Sequence, residues 1–138
     1  MAFGRGNRET ERPALASHRI LLVDDNIDAA AIAALLLKQL GQDVIQVYDG
    51  SSAVGVAVEF TPDIVVLDLE MPGVDGLDVA RALRALPAPA CDCRIIAYTG
   101  HNPADYRDAA DAAGFNEFLL KPVSLAQWIR ILGGAPQA

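Results

Sequence analysis

Short apolar runs and helix-like patterns alternate along the chain. Unbroken runs such as Ile20–Val23 and Ile64–Leu67 are typical of strands buried on both faces of a sheet. The predicted strands cover 20–23, 44–48, 64–67, 94–99 and 118–120. The predicted helices cover 28–40, 51–60, 76–86, 103–113 and 124–132. Five strands alternating with five helices predict an α/β fold, a doubly wound five-stranded parallel sheet with helices on both faces.

The pattern also predicts the domain boundaries and the helix caps. Residues 1–17 are mostly polar and are expected to be a disordered tail, residues 18–133 form one domain, and residues 134–138 form a C-terminal tail. Asp75 and Ser124 each precede a helical pattern and are expected to cap it. Asp68 follows the central apolar run directly, and with Asp75 as the cap it is left without a structural role.

Composition changes this picture little but excludes several functions. The 138 residues are 52% hydrophobic and 21% charged, which fits an ordinary globular domain. A net charge of −7 argues against nucleic-acid binding. The longest apolar run, Ala29–Leu37, is too short to span a membrane, and no signal peptide is visible, so a cytoplasmic location is expected. Cys91 and Cys93 are interpreted as incidental loop thiols.

Chemically distinctive residues follow four of the five predicted strands. Each has an ordinary alternative: Asp24 or Asp25 as a helix cap, Thr99 as a strand terminus, Lys121 as a surface cation. The carboxyl ends of parallel strands lie at one edge of a sheet, however, and this edge is where ligands bind. We therefore expect the residues at the strand ends to converge on one pocket: Asp24, Asp25, Asp68, Thr99 and Lys121.

Such a pocket predicts metal-dependent phosphoryl chemistry. Two like charges 4 Å apart repel by about 4 kcal/mol at an effective dielectric near 20, and one lysine cannot offset three carboxylates. A divalent cation is therefore expected, and oxygen ligands favour Mg²⁺ or Mn²⁺. An aspartate beside a metal, a lysine and a threonine can attack a phosphoryl group to give an aspartyl phosphate.

The chain resembles the response-regulator receiver domains of two-component signalling from His18 to Leu132. The motifs that carry the resemblance are V-D-D-N at 23–26, L-D-L-E-M-P-G-V-D-G at 67–76, T-G at 99–100 and K-P at 121–122. The resemblance implies a flavodoxin-like receiver fold with Asp68 as the phosphoacceptor. It implies that Asp25, Asp68 and the Glu70 carbonyl hold Mg²⁺, while Asp24 acts mainly through a coordinated water. Thr99 and Lys121 would contact the phosphoryl group, and the Lys121–Pro122 bond would be cis.

The resemblance also implies a switch and its partners. Phe118 occupies the position of the switch aromatic and would act with Thr99, although a plain core phenylalanine is an equal alternative. Glu70 and His101 occupy positions that tune the phosphoryl lifetime; a solvated loop histidine is the simpler interpretation of His101. The phosphoryl donor would be a histidine kinase or a histidine phosphotransfer protein. Phosphorylation would change the surface formed by 103–113, 117–121 and 124–132, to which a downstream protein binds.

Several functional alternatives are open at this point. No output domain follows the last predicted helix, which favours a stand-alone receiver, but a receiver from a hybrid histidine kinase fits equally well. An aspartate-nucleophile phosphohydrolase is disfavoured, because in that class the acidic pair follows the lysine. A nucleotide-binding module lacks its glycine-rich loop after the first strand. The intact set of strand-end residues argues against a scaffold that is never phosphorylated. No enzymatic activity is expected beyond the domain's own phosphorylation and dephosphorylation.

Overall fold

The computed structural model describes residues 15–71, 74–100 and 107–133. Its main strands are β1 (Arg19–Val23), β2 (Asp43–Val47), β3 (Ile64–Asp68), β4 (Arg94–Thr99) and β5 (Glu117–Leu120). Its α-helices are α1 (Ile27–Gln39), α2 (Gly50–Phe60), α3 (Gly76–Arg84), α4 (Arg107–Ala113) and α5 (Leu125–Leu132). The elements alternate along the chain as the sequence pattern predicts.

The five strands form one parallel sheet in the order β2-β1-β3-β4-β5. The order reverses between β1 and β3, which is the switch point where flavodoxin-like sheets bind ligands. All five residues of β3, at the centre, are buried. The predicted doubly wound five-stranded fold is confirmed.

The two faces of the sheet carry separate hydrophobic clusters. On one face the sheet packs against buried residues of α2, α3 and α4, such as Ala57, Leu83 and Ala110. On the other it packs against α1 and α5 through residues such as Leu37 and Trp128. Helices on both faces account for the near-continuous apolar character of β1, β3 and β4.

Helix caps fix where the functional loops end. Asp75 accepts a hydrogen bond from the Leu77 amide at 2.9 Å and Ser124 one from the Gln127 amide at 3.1 Å, so both predicted caps are confirmed. The cap of α1 is Asn26, whose Oδ1 accepts from the Ala29 amide at 3.0 Å. The first-strand aspartates are therefore not needed as caps.

A few boundaries differ from the prediction. Strand β2 begins and ends one residue earlier, and α3 ends at Arg84 rather than at residue 86. The structure adds a two-residue antiparallel ribbon, Glu70–Met71 with Val74–Asp75, and a 3₁₀ turn at Ala90–Asp92. The predicted start of the fourth helix, at 103, lies outside the described residues.

The predicted tails lie largely outside the described residues, which begin at 15 and end at 133. At the N-terminal end, Leu15 packs against the α1–α5 side of the core. The Ala16 carbonyl accepts a hydrogen bond from Gln42 Nε2 at 2.9 Å. None of the described helices has the length and apolar content that a membrane crossing requires.

Candidate functional site

The predicted strand-end residues lie together at the carboxyl edge of the sheet. Asp24 follows β1 directly, Asp68 ends β3, and Lys121 follows β5. Lys121 Nζ lies 3.2 Å from Asp24 Oδ2 and 3.3 Å from Asp68 Oδ2. Thr99, the last residue of β4, is fully buried at the same edge. The convergence expected from parallel strands is therefore present.

Backbone amides orient the two buried carboxylates. Asp24 Oδ1 accepts from the Asn26 amide at 3.0 Å, and Asp68 Oδ1 accepts from the Glu70 amide at 2.9 Å. In each case the other oxygen, Oδ2, is the one that faces Lys121. The Asp24 amide itself donates to the Val47 carbonyl at 3.0 Å, so its position is fixed by neighbouring strand β2.

Burial sets the electrostatics of the site. Asp68 is 2% exposed, and burial, followed by the neighbouring Asp24 carboxyl, raises its pKa to about 7, although the Lys121 charge opposes this. Burial alone would lower the pKa of Lys121, but the charges of Asp68 and Asp24 outweigh it and raise the pKa above its ordinary value. In the absence of a metal the site therefore holds a proton more readily than isolated aspartates would.

The acidic groups are suited to a divalent cation. One carboxylate oxygen from each of Asp24, Asp25 and Asp68 lies within 4.8 Å of the others. Asp24 Oδ2 is buried, and within the described part of the chain no group donates a well-directed hydrogen bond to it. Its contact with Lys121 is an ion pair without good hydrogen-bond alignment. A buried carboxylate oxygen left in this state, next to an exposed carboxylate, fits the hard oxygen site that Mg²⁺ or Mn²⁺ takes.

The sequence matches the model of the response regulator receiver domain family over residues 20–132. The chain is a response regulator receiver domain. Its relatives include the CAI-1 autoinducer sensor kinase/phosphatase CqsS of Vibrio cholerae, which is 38% identical over 104 residues, 75% of this chain and 15% of the relative. The transcriptional regulatory protein PrrA of Mycobacterium bovis is 36% identical over 115 residues, 83% of this chain and 48% of the relative. The chain thus spans about half or less of the length of these relatives.

Solved receiver structures share the fold. The receiver domain of the sensor histidine kinase PA1611 of Pseudomonas aeruginosa is 34% identical, with a TM-score of 0.76 over 85% of this chain and 95% of that one. That structure has a magnesium ion coordinated in its active-site cleft. The chemotaxis protein CheY4 of Vibrio cholerae matches with a TM-score of 0.78 over 85% of this chain and 97% of that one. At 24% identity this second likeness concerns the fold alone.

The remaining predicted residues of the receiver domain are placed as follows. Phe118 is half-buried in β5 and stacks on Phe115, with ring centroids 6.5 Å apart. The Glu70 carboxylate reaches the residue after β4, where its Oε1 accepts from the Gly100 amide at 3.3 Å. The Lys121–Pro122 bond is cis, as expected, and so is Ala88–Pro89, which was not predicted. His101 lies outside the described residues.

One residue of the site was not identified by the sequence reasoning. Tyr98, next to Thr99, is buried and places its ring centroid 4.5 Å from Lys121 Nζ. Within the apolar run of β4 it is indistinguishable from a core residue. What places it in the site is the strand register, in which Tyr98 pairs with Asp68 on the neighbouring strand, and the sequence pattern does not contain this register.

Proposed function

We propose that this receiver domain accepts a phosphoryl group on Asp68 from a phosphohistidine of a histidine kinase or a histidine phosphotransfer protein. The observation that carries the proposal is the Asp68 carboxylate, buried at a strand end and 3.3 Å from the Lys121 ammonium within a cluster of three carboxylates. In the transfer an Asp68 oxygen forms a bond to phosphorus as the bond to the histidine nitrogen breaks. The electron pair of the broken bond stays on the imidazole.

The chain's own groups hold the reacting atoms. The Glu70 amide fixes one oxygen of Asp68, and Lys121 pairs with the other and then with the arriving phosphoryl oxygens. Thr99 supplies a hydroxyl donor to the phosphoryl group. Asp24, Asp25, Asp68 and the Glu70 carbonyl would hold Mg²⁺ or Mn²⁺. When bound, the ion supplies positive charge against the developing charge of the transferring oxygens.

The proposed output is a population shift. Phosphorylation adds close to two negative charges beside Thr99, which is drawn toward them, and Phe118 then occupies the space released. The surface that changes comprises α4, β5 and α5, and its ligand is a downstream protein rather than nucleic acid or a membrane. Glu70 and His101 are proposed to set the phosphoryl lifetime.

The domain acts in signalling and turns over no separate substrate. It catalyses only its own phosphorylation and dephosphorylation. The family supports the proposed partners, because its members among the relatives occur both in sensor kinases and in transcriptional regulators. A cytoplasmic location is also proposed. The free Cys91 and Cys93 suit it, because thiols stay reduced there.

Incubation with acetyl phosphate tests the proposal. With Mg²⁺ we expect a mass increase of one phosphoryl group that maps to Asp68 and disappears in Asp68→Asn. The matched control, Asp43→Asn, changes an exposed aspartate at the start of β2 and is expected to label normally. Labelling that survives in Asp68→Asn would contradict the assignment of the acceptor. Multiple turnover of p-nitrophenyl phosphate would instead indicate a phosphohydrolase.

A further inference from the structure

The Lys121 ammonium is contacted on more than one side. The carboxylates of Asp24 and Asp68 lie 3.2 and 3.3 Å from Nζ, and the Tyr98 ring centroid lies 4.5 Å from it. A cation within about 6 Å of an aromatic ring face is attracted by the negative face of the ring. The Lys121 side chain is only 23% exposed, so water screens this attraction weakly.

The Tyr98 ring is fixed in place. The residue is 4% exposed and stands in the middle of the sheet, paired in register with Asp68 on one side and Leu119 on the other. Its carbonyl accepts from the Leu69 amide at 3.2 Å, which ties it to the loop that follows the acceptor. Its ring packs against Trp128 of α5, with centroids 6.2 Å apart. Lysine has a flexible stem of four carbons, so a rigid neighbour restricts where its ammonium can lie.

We propose that Tyr98 is a positioning residue for phosphoryl transfer, holding the Lys121 ammonium against the acceptor carboxylate through the face of its ring. The inference rests on the proposed function, because it takes Asp68 as the acceptor and Lys121 as its cation. The ring keeps the ammonium beside the site when Lys121 turns from the carboxylates to the phosphoryl oxygens. An aliphatic side chain of similar size would fill the space but would not attract the charge.

The competing explanation is that Tyr98 only fills the core next to Trp128. The two explanations differ in whether the negative charge on the face of the ring affects the labelling rate. Fluorine on a phenylalanine ring weakens the negative ring face while changing the shape little. We therefore replace Tyr98 with phenylalanine and with its mono-, di- and trifluoro analogues, which leaves the packing nearly constant. The ring face rather than the hydroxyl contacts Lys121, so Tyr98→Phe is expected to label at close to the wild-type rate.

The measurement is the rate of Asp68 labelling by acetyl phosphate at a fixed Mg²⁺ concentration, with the maximal rate constant and the half-saturating donor concentration separated by varying the donor. We expect the rate to fall steadily with fluorine content, by about 3- to 10-fold from phenylalanine to the trifluoro analogue. The wild-type protein gives an independent reading by NMR. The protons on Lys121 Cε are expected to resonate upfield because of the Tyr98 ring current, and the shift is expected to vanish in Tyr98→Leu.

The chain supplies a matched control at Phe60. The Arg19 guanidinium carbon lies 4.6 Å from the Phe60 ring centroid, so this pair has the same kind of contact. Fluorination of Phe60 is expected to lower stability, although by less than fluorination of Tyr98 because Arg19 is exposed, and to leave the labelling rate unchanged. Loss of rate in both series would assign the Tyr98 effect to stability and overturn the inference.

Two further results would overturn it. One is a labelling rate that does not change across the fluorinated Tyr98 series, and the other is the absence of a ring-current shift on Lys121. Neither would affect the proposed function, which depends on labelling of the wild type at Asp68 and its loss in Asp68→Asn. Conversely, a wild-type protein that is not labelled at Asp68 contradicts the proposed function, while the ring-current measurement still reports the contact.

Discussion

At the scale of single residues, the buried position of Asp68 makes the unfolding free energy depend on pH. Burial, with the neighbouring Asp24 carboxyl, raises its pKa from 3.8 to about 7, so the folded state binds a proton more tightly than the unfolded state does. The stabilisation from this proton is complete below the ordinary pKa and is lost as the pH rises through about 7. In EDTA we therefore expect the unfolding free energy of the wild type to fall across this range relative to Asp68→Asn.

Urea unfolding of the two proteins at a series of pH values gives this difference directly. Other titrating groups are common to both proteins and cancel to first order. Asp43→Asn serves as the control, because it removes an exposed carboxyl at the start of β2, away from Lys121 and the acidic cluster. A difference for Asp68→Asn that is flat or of opposite sign between pH 4 and pH 7 would show that the carboxyl is not held in its neutral form.

The residues of the site differ in how far the sequence could predict them. Asp24, Asp68 and Lys121 were predictable because each stands at the end of an apolar run, where a charged group is costly unless it is paired or solvated. Tyr98 was not, because an aromatic residue inside an apolar run is expected in the core whatever its neighbour. Which ring faces which ammonium depends on the pairing of strands and on side-chain rotamers, which the pattern does not contain.

At the scale of elements, α3 starts immediately against the end of β3, the strand that ends at Asp68. A Cβ added at Gly76 would lie 2.9 Å from the Asp68 carbonyl oxygen and 3.0 Å from Leu69 Cα, both backbone atoms that cannot move freely. We expect Gly76→Ala to lower the unfolding free energy by about 1–3 kcal/mol. Labelling of Asp68 by acetyl phosphate is expected to slow as well, because the backbone that carries the Asp68 side chain must shift.

Gly55→Ala is the matched control for this substitution. Gly55 lies within α2, and a Cβ there meets nothing within 4 Å. Alanine is the better helix former, so this variant is expected to gain up to about 1 kcal/mol and to label at the wild-type rate. Denaturant unfolding measures the unfolding free energies of the Gly76→Ala and Gly55→Ala variants. A Gly76→Ala protein as stable as the wild type would contradict the close packing of α3 on the Asp68 carbonyl.

A single arginine, at the end of α3, ties two connecting segments together on the α3 side of the sheet. Arg84 donates to the carbonyls of Cys91, Cys93 and Gly114, at distances from 2.6 to 3.0 Å. Removing the guanidinium leaves these acceptors without the donor. We expect Arg84→Met to lower the unfolding free energy by about 2–4 kcal/mol. The exposed Arg81, which pairs with Asp78, is the control: Arg81→Met is expected to cost under about 1 kcal/mol.

Thermal or urea unfolding distinguishes these two arginine variants. Labelling of Asp68 is expected to persist in Arg84→Met wherever the protein is folded, because the guanidinium contacts lie away from the acceptor. Equal costs for the two variants would show that the Arg84 hydrogen bonds add nothing beyond a surface ion pair.

The strands and caps were predictable as elements, and the small features between them were not. Hydrophobic runs bounded by turn residues mark β3 and β4 closely, and Asp75 and Ser124 have the side chains that helix caps require. The ribbon of Glu70–Met71 with Val74–Asp75 involves two residues on each side, too few to give a periodicity. Its geometry follows from how α3 packs against β3, which is tertiary information.

At the scale of the whole molecule, periodicity predicts a parallel sheet but not the order of its strands. The order β2-β1-β3-β4-β5 follows once the first crossover and the later ones lie on opposite faces, as the two hydrophobic clusters require. This order brings the ends of β1 and β3 together and thereby creates the acidic site. The convergence of strand ends was predictable without the order, because in a parallel sheet every carboxyl end lies at one edge.

The acidic site should make the stability of the whole domain depend on Mg²⁺. The chain carries a net charge of −7, and three of its carboxylates lie within 4.8 Å of one another. An ion that binds only the folded state stabilises it by about 2.7 kcal/mol at one hundred times its Kd. We expect Mg²⁺ to raise the Tm of the wild type well above the value in NaCl of equal ionic strength.

The Asp25→Asn variant separates binding at the site from general screening. In EDTA we expect Asp25→Asn to be more stable than the wild type, because one repelling charge is gone. We expect Mg²⁺ to raise the Tm of Asp25→Asn by less than it raises the Tm of the wild type. Asp43→Asn should respond as the wild type does, and an equal gain from Mg²⁺ in all three proteins would mean that the ion acts by general screening and not at the strand-end carboxylates.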